Sequence, residues 1–334
     1  MKHLFFVLVF AAVSVAQLPK INIVFGSSYD SINPKVRTYG LWYASNHASN
    51  DPTMPIAVYI HGGKWARGAA FSKIGVDDAM VPGTCDGPMT NTDICALAAH
   101  GYAVYSINYT LTQPGVSATT WPVQWQDCEC FLKFLAEKAG VSVPGNPNRI
   151  YLFGHSAGAH LAGVTALAPH NTFPTNCRHT STNYTIQAVV LASPPLNLHE
   201  VAVANPGVSS AITALLGCNA GEGADPSCLA IAASADPATY VSESQPPTTV
   251  ETGEADQEIP YNLQGALKNA YSQLNPPVSS VWNVYSGLNH DLDLFYYQPC
   301  SLDPNGGEPS PCGASGSVFM DLLDFFQDSP NRVR

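Results

Sequence analysis

Ser156 lies in the stretch "YLFGHSAGAHLAG", with Gly154 and Gly158 two residues to either side. A serine hydroxyl ionises far above neutral pH. It attacks a carbonyl only when a base takes its proton and an acid orients that base. Two later stretches carry those residue types. "TTVETGEADQEIPY" offers Asp256 after a short strand and a turn at Gly253, with Glu251, Glu254 and Glu258 as solvated neighbours that compete with it. "VWNVYSGLNHDLD" offers His290 in the loop after an apolar run. Serine, acid, histidine is the chain order in which such groups follow successive strands of an α/β sheet. Upstream, His61-Gly62-Gly63-Lys64-Trp65 follows another apolar run. Glycines there let backbone N–H groups turn toward a developing oxyanion, so Gly62 or Gly63 with the N–H of Ala157 can hold that charge. Together these residues suit acyl transfer through a covalent serine intermediate.

Other polar residues read differently. His61 is expected to support the glycine loop, and His160, one helical turn past Ser156, to hydrogen-bond locally. His155 flanks the serine on the same turn. Asp127 begins a helical stretch and reads as an N-terminal cap or a surface charge near the helix dipole. No Cys/His spacing resembles a zinc site, and the chemistry calls for no metal and no organic cofactor.

These groups need a scaffold. Ile56 to Ile60, Ala103 to Ile107, Ile150 to Phe153, Ala188 to Ala192 and Val281 to Tyr285 are apolar nearly end to end. Strands buried on both faces look like this, which predicts a mostly parallel central sheet flanked by helices on both faces. The stretches "TDICALAAHG", capped by Thr92, "DCECFLKFLAEKAG", "YNLQGALKNAYSQL" and "VFMDLLDFFQ" read as helices between or after them. Strand and helix alternate, the mark of an α/β fold. The strand, the turn at Gly154 to Gly158 and a helix over Ala157 to Ala168 form the sharp bend that lifts a serine to the carboxyl edge of such a sheet. Residues 196–245, rich in Ala, Gly, Ser and Pro, interrupt the rhythm before the acid and read as an insertion beside the ligand crevice, a lid or a passive excursion.

The chain of 334 residues opens MKHLFFVLVFAAVSVAQ. Lys2, an apolar core from Leu4 to Val13 and small residues at Ser14 and Ala16 predict a signal peptide over 1–16, too short for a membrane span. Residues 17–334 then form a single exported domain with no stable membrane anchor. Only 12% of residues are charged and the net charge is −11, which excludes nucleic acid and anionic lipid as natural partners. Nine cysteines in an exported chain read as disulfides. Cys85 with Cys95, Cys218 with Cys228 and Cys300 with Cys312 each close a short loop. Cys177 reaches Cys130 or Cys128, and Cys128 is the better candidate for a free thiol because it shares an apolar helical stripe with Phe131, Leu132 and Leu135. Of two N-x-T sequons, that at Asn183 lies in a polar stretch, whereas that at Asn108 directly follows an apolar strand.

With these residues placed, the chain resembles the α/β-hydrolase superfamily, in its carboxylesterase and lipase-like branch with H-G-G-x-W and G-x-S-A-G motifs. Feruloyl-esterase-like enzymes and kynurenine formamidases share that loop. The likeness runs from Ile56 to His290 through "SINYTL", "WPVQWQDC", "NPNRIYLFGHSAGAHLAG", "ADPATYV", "GEADQEIPY" and "GLNH". It implies Ser156 as nucleophile, His290 as general base, Asp256 as orienting acid, and an oxyanion hole from Gly62 or Gly63 with Ala157. Where the family often has Asn-Tyr-Arg-Leu, this chain has Asn108-Tyr109-Thr110-Leu111. The leading expectation is a secreted serine hydrolase acting on small-molecule or polymer-linked carboxylic esters. An amide or formamide hydrolase of the same fold, and a hydrolase-fold protein that only binds ligands, are the rivals. Trp65, Trp121 and the 196–245 insertion are candidates for the pocket wall, and the oligomeric state stays open.

Overall fold

A computed structural model describes residues 19–70, 85, 93–274, 280–292, 322 and 325–327. Eight strands form one sheet in the order β1-β2-β4-β3-β5-β6-β7-β8. They are β1 (Ile21–Ser28), β2 (Thr38–Ala44), β3 (Ile56–Ile60), β4 (Ala103–Ile107), β5 (Ile150–His155), β6 (Ile186–Ala192), β7 (Thr248–Gly253) and β8 (Val281–Tyr285). The first two pair antiparallel with their neighbours, and β3 through β8 pair in parallel. The sheet is therefore mostly parallel, as the apolar runs predict. Those runs coincide with β3, β4 and β8, and lengthen by two residues in β5 and in β6.

Successive side chains of a strand point to opposite faces, so a doubly buried strand feeds two cores. Ile56, Val58 and Ile60 of β3 pack on one side with Phe131, Leu135 and Leu161. Ala57 and Tyr59 pack on the other with Tyr151, Phe153 and Phe326. The first core lies under helices α2 (Val123–Lys138) and α3 (Ala157–Leu167), and the second under α1 (Asp93–Ala99). Thr92, the expected cap of α1, lies outside the described residues, as does most of the final helical stretch.

Strands β1 and β2 are additions to the sequence reading. In β1 the burial alternates poorly, with Val24 and Phe25 exposed, because it is an edge strand broken by a bulge at Gly26. Its pattern therefore resembles neither a buried nor a half-buried strand. The 196–245 segment holds three helices, α4 (Leu198–Ala204), α5 (Pro206–Leu216) and α6 (Pro226–Ala235). Asn205 and Asp225, each followed by proline, cap α5 and α6 through their side chains. The segment between Pro260 and Leu274 divides into α7 (Tyr261–Gln264) and α8 (Ala266–Ser272) at Gly265.

Disulfides join Cys85 to Cys95, Cys130 to Cys177 and Cys218 to Cys228. Cys128 is buried with a free thiol, as its apolar stripe implies. Cys300 and Cys312 lie outside the described residues, as do residues 1–16. Among the described residues no helix is long and apolar enough to cross a membrane.

Candidate active site

The bend after β5 is tight because glycine permits it. A Cβ on Gly154 would sit 2.5 Å from the Gly158 carbonyl group, and one on Gly158 would lie 1.9 Å from the carbonyl oxygen of Ile60. Either substitution drives backbone into backbone, so the two glycines let α3 start directly against β3 and β5. Ser156 between them has φ 54° and ψ −122°, a strained conformation for a residue with a side chain. That strain projects its hydroxyl from the carboxyl edge of the sheet rather than along the helix.

Three expected residues meet there. Ser156 Oγ is 2.9 Å from His290 Nε2, and His290 Nδ1 is 2.8 Å from Asp256 Oδ2. An ionised carboxylate only accepts, so Nδ1 carries the proton and Nε2 accepts from the serine hydroxyl. The carboxylate of Asp256 is itself anchored: Oδ1 accepts from the backbone amides of Glu258 and Ile259, both at 2.8 Å. The amide of Gln264 donates to Oδ2 at 2.9 Å and also to the carbonyl of Ile259. All three residues of the run are at least nine-tenths buried, which strengthens its hydrogen bonds relative to water.

Sequence reasoning missed two residues that hold His290. Its backbone carbonyl accepts from His155 Nε2–H at 2.9 Å and from the Ser193 hydroxyl at 2.7 Å. Ser193 is fully buried just past β6 with φ 48°, and its N–H donates to the carbonyl of Glu251. The only signal in the sequence was a serine directly after the apolar run Ala188 to Ala192.

The glycine loop packs on the bend. A Cβ on Gly62 would lie 3.4 Å from that of Ser156 and 3.0 Å from the carbonyl of His155. Gly63, Lys64 and Trp65 take φ values of 105°, 55° and 58° in succession. His61 supports the loop as expected: its Nδ1 is 2.8 Å from the Gly62 carbonyl, and its ring stacks on Tyr109. The amide of Ala157 opens α3 beside these residues.

Three readings need correction. His160 does not bond locally. Its Nε2–H donates to the carbonyl of Ala235 at 2.7 Å, and Nδ1 accepts from Trp65 Nε1–H at 3.3 Å. It thereby ties the glycine loop to the end of α6. Burial lowers its pKa to about 4, so the ring stays neutral. Asp127 is neither a cap nor a surface charge. It is fully buried on α2, where Oδ1 accepts from Arg37 and Oδ2 from the amide and hydroxyl of Thr110. The cation facing it comes from Arg37, ninety residues earlier in the chain, which no local pattern reveals. Glu251 is not a loop carboxylate: it is buried in β7, accepting from Asn283 and Tyr285. Glu254 and Glu258 do sit past β7, where they engage Ser286 and Lys64. Trp65 and Trp121 are buried and pack their rings against His160.

Among the described residues, no group of three His, Cys, Asp or Glu side chains is arranged to hold a metal ion. Asn108 spends its amide on Thr38 and its carbonyl on the Ala70 amide, whereas Asn183 is exposed.

The mostly parallel sheet with its helices is an α/β-hydrolase fold, and the family match makes the chain an esterase-like carboxylic ester hydrolase. The chain belongs to the BD-FAE family, which it matches over residues 43–271. Esterase B from Lactobacillus rhamnosis is similar in structure, with a TM-score of 0.65 at 21% identity over 95% of this chain and 88% of that one. A truncated carbohydrate esterase from gut microbiota has a TM-score of 0.64 at 18% identity, over 95% and 99%. An esterase from the planctomycete Thermogutta terrifontis has a TM-score of 0.59 at 13% identity, over 95% and 94%. At such identities the likeness carries the fold. No curated protein matches the sequence.

Proposed function

We propose that the chain is a secreted serine esterase in which Ser156 is the nucleophile, His290 the general base and Asp256 its orienting acid. The observation that carries this reading is the hydrogen-bonded run Ser156–His290–Asp256, at 2.9 and 2.8 Å, beside the Gly62–Gly63 loop. His290 Nε2 takes the serine proton as Oγ attacks the ester carbonyl. The developing oxyanion is held by backbone N–H groups of Gly62 or Gly63 and of Ala157. The tetrahedral intermediate collapses, and the alkoxide leaves with the proton from His290. Water then attacks the acyl-enzyme, giving its proton to His290, which passes it to Ser156 Oγ as the carboxylic acid departs.

Export is supported by the signal-like opening residues and by three disulfides. Short acyl groups are the favoured substrates. The Thermogutta terrifontis esterase is known with propionate and butyrate bound, and esterase B with a tributyrin phosphonate. The alcohol is a small molecule or a polymer hydroxyl, and the three helices of the insertion cap one side of the crevice.

The test is Ser156→Ala. Turnover of a short-chain aryl ester should vanish while the thermal midpoint stays close to that of the parent, and an organophosphonate should label the parent alone. Substantial residual hydrolysis in the variant would sink the assignment. An amide or formamide substrate would use the same groups, and faster turnover of N-formylkynurenine than of the aryl ester would move the reading there.

A further inference from the structure

We propose that Lys64 and Glu258 form an ion-pair strap across the crevice and so determine how bulky an ester reaches Ser156; the proposal rests on the esterase reading above. Lys64 Nζ lies 3.1 Å from Glu258 Oε2. The two residues come from loops that the sheet holds well apart. Lys64 follows β3 and Glu258 follows β7, with β5 and β6 between them. Three strand spacings amount to about 14 Å. A lysine arm of about 6 Å and a glutamate arm of about 4 Å, built from ordinary bond lengths, span that interval when their heads meet. Between them in the sheet lie β5 and β6, whose carboxyl ends lead directly into Ser156 and Ser193. Consistent with a covered site, Ser156 is only 7% exposed.

Both roots of the strap are fixed. Lys64 stands between Gly63 and the buried Trp65, all three at positive φ. Trp65 is held at its indole by His160 and at its carbonyl by the amide of Thr112. Non-glycine residues in this region are strained, and such strain persists only where the surroundings over-determine it. On the other side, the Glu258 amide donates to Asp256 Oδ1, and its carbonyl accepts from the Asn205 side chain at 2.8 Å. Asn205 joins α4 to α5, so the insertion braces the acid loop from behind.

Only the heads are free to move. Their side chains are 32% and 44% exposed, so water and salt reach them. An ion pair of this kind is weak enough to open for a substrate that needs the room, and strong enough to disfavour that substrate by roughly two- to five-fold. A compact ester passes beneath it without that penalty. The strap acts on access and leaves the reacting atoms alone.

The experiment compares kcat/KM for ethyl acetate and 1-naphthyl acetate at low salt and in 1 M NaCl. It uses the parent chain, Lys64→Ala, Glu258→Gln and the charge exchange Lys64→Glu with Glu258→Lys. The naphthyl-to-ethyl ratio is expected to rise roughly two- to five-fold in both single variants. High salt should raise it similarly in the parent and leave the single variants unchanged, and the charge exchange should restore the parental ratio at low salt. Turnover of both esters at one unchanged ratio throughout would overturn the strap alone. Failure of the parent to turn over either ester, with no organophosphonate on Ser156, would overturn the esterase reading and the strap with it.

Discussion

Ser193 donates its hydroxyl to the backbone carbonyl of His290 at 2.7 Å, joining the end of β6 to the loop after β8. His155, next to the serine in sequence, donates to the same oxygen. The imidazole that faces Ser156 is thus held through its main chain by the last residue of β5 and by the residue just past β6. Orientation of His290 does not depend on Asp256 alone.

Ser193→Ala removes one of those two donors and leaves the other. A single hydrogen bond contributes about 0.5–1.5 kcal/mol. If that loss appears in the transition state, kcat falls roughly two- to ten-fold with KM unchanged, and steady-state kinetics on a short-chain aryl ester will show it.

Asp256→Asn keeps the size of the acid and removes its charge. The carboxamide can place an N–H toward His290 Nδ1 and favour the wrong tautomer, and it no longer balances the imidazolium formed during attack. A loss of roughly a thousand- to ten-thousand-fold in kcat is expected. Near-parental binding of a non-hydrolysable substrate analogue would show that the pocket survives.

His160 supplies a pH dependence of stability. Its pKa is about 4 in the folded chain, against an ordinary 6.5. As pH falls, the unfolded chain takes up this proton first, so stability conferred by the neutral ring is full above about 6.5. It is lost progressively toward pH 4, by up to about 3 kcal/mol. Urea unfolding across that range will display the slope. His160→Gln, which can still donate to Ala235 and accept from Trp65, should flatten it.

Arg37 is bound on both sides, to Asp30 at 2.7 Å and Asp127 at 2.9 Å, in a site where all three side chains are nearly inaccessible. Arg37→Met strands two carboxylates in the interior. The expected cost is about 3–5 kcal/mol, read as a lowered denaturation midpoint.

What could be read from the chain follows a physical division. β3 and β4 are legible because doubly buried strands must be apolar throughout; β8 is nearly as apolar in sequence although Val281 to Val284 are only partly buried. Ser156, Asp256 and His290 are legible as candidates because each lies just beyond a strand, and parallel strands deliver those ends to one edge. Their roles as nucleophile, acid and base are the proposal argued above. Arg37 and Asp127 escape the reading because their pairing spans ninety residues, and each residue alone resembles an ordinary surface charge. His155 and Ser193 escape it because they serve His290 through a backbone carbonyl, which has no residue type. The insertion's helices are small-residue-rich, so their periodicity is faint until capping by Asn205 and Asp225 is seen.

The buried thiol of Cys128 has a practical consequence. It lies two residues from the Cys130–Cys177 bridge, on a helix sealed against the first core, and burial pushes its pKa well above the ordinary thiol value. Almost no thiolate exists there, so neither alkylation nor exchange with the nearby bridge proceeds while the chain is closed. The sulfur is a built-in clock: its rate of capture by a thiol reagent counts the openings of the core, with no label added to the protein.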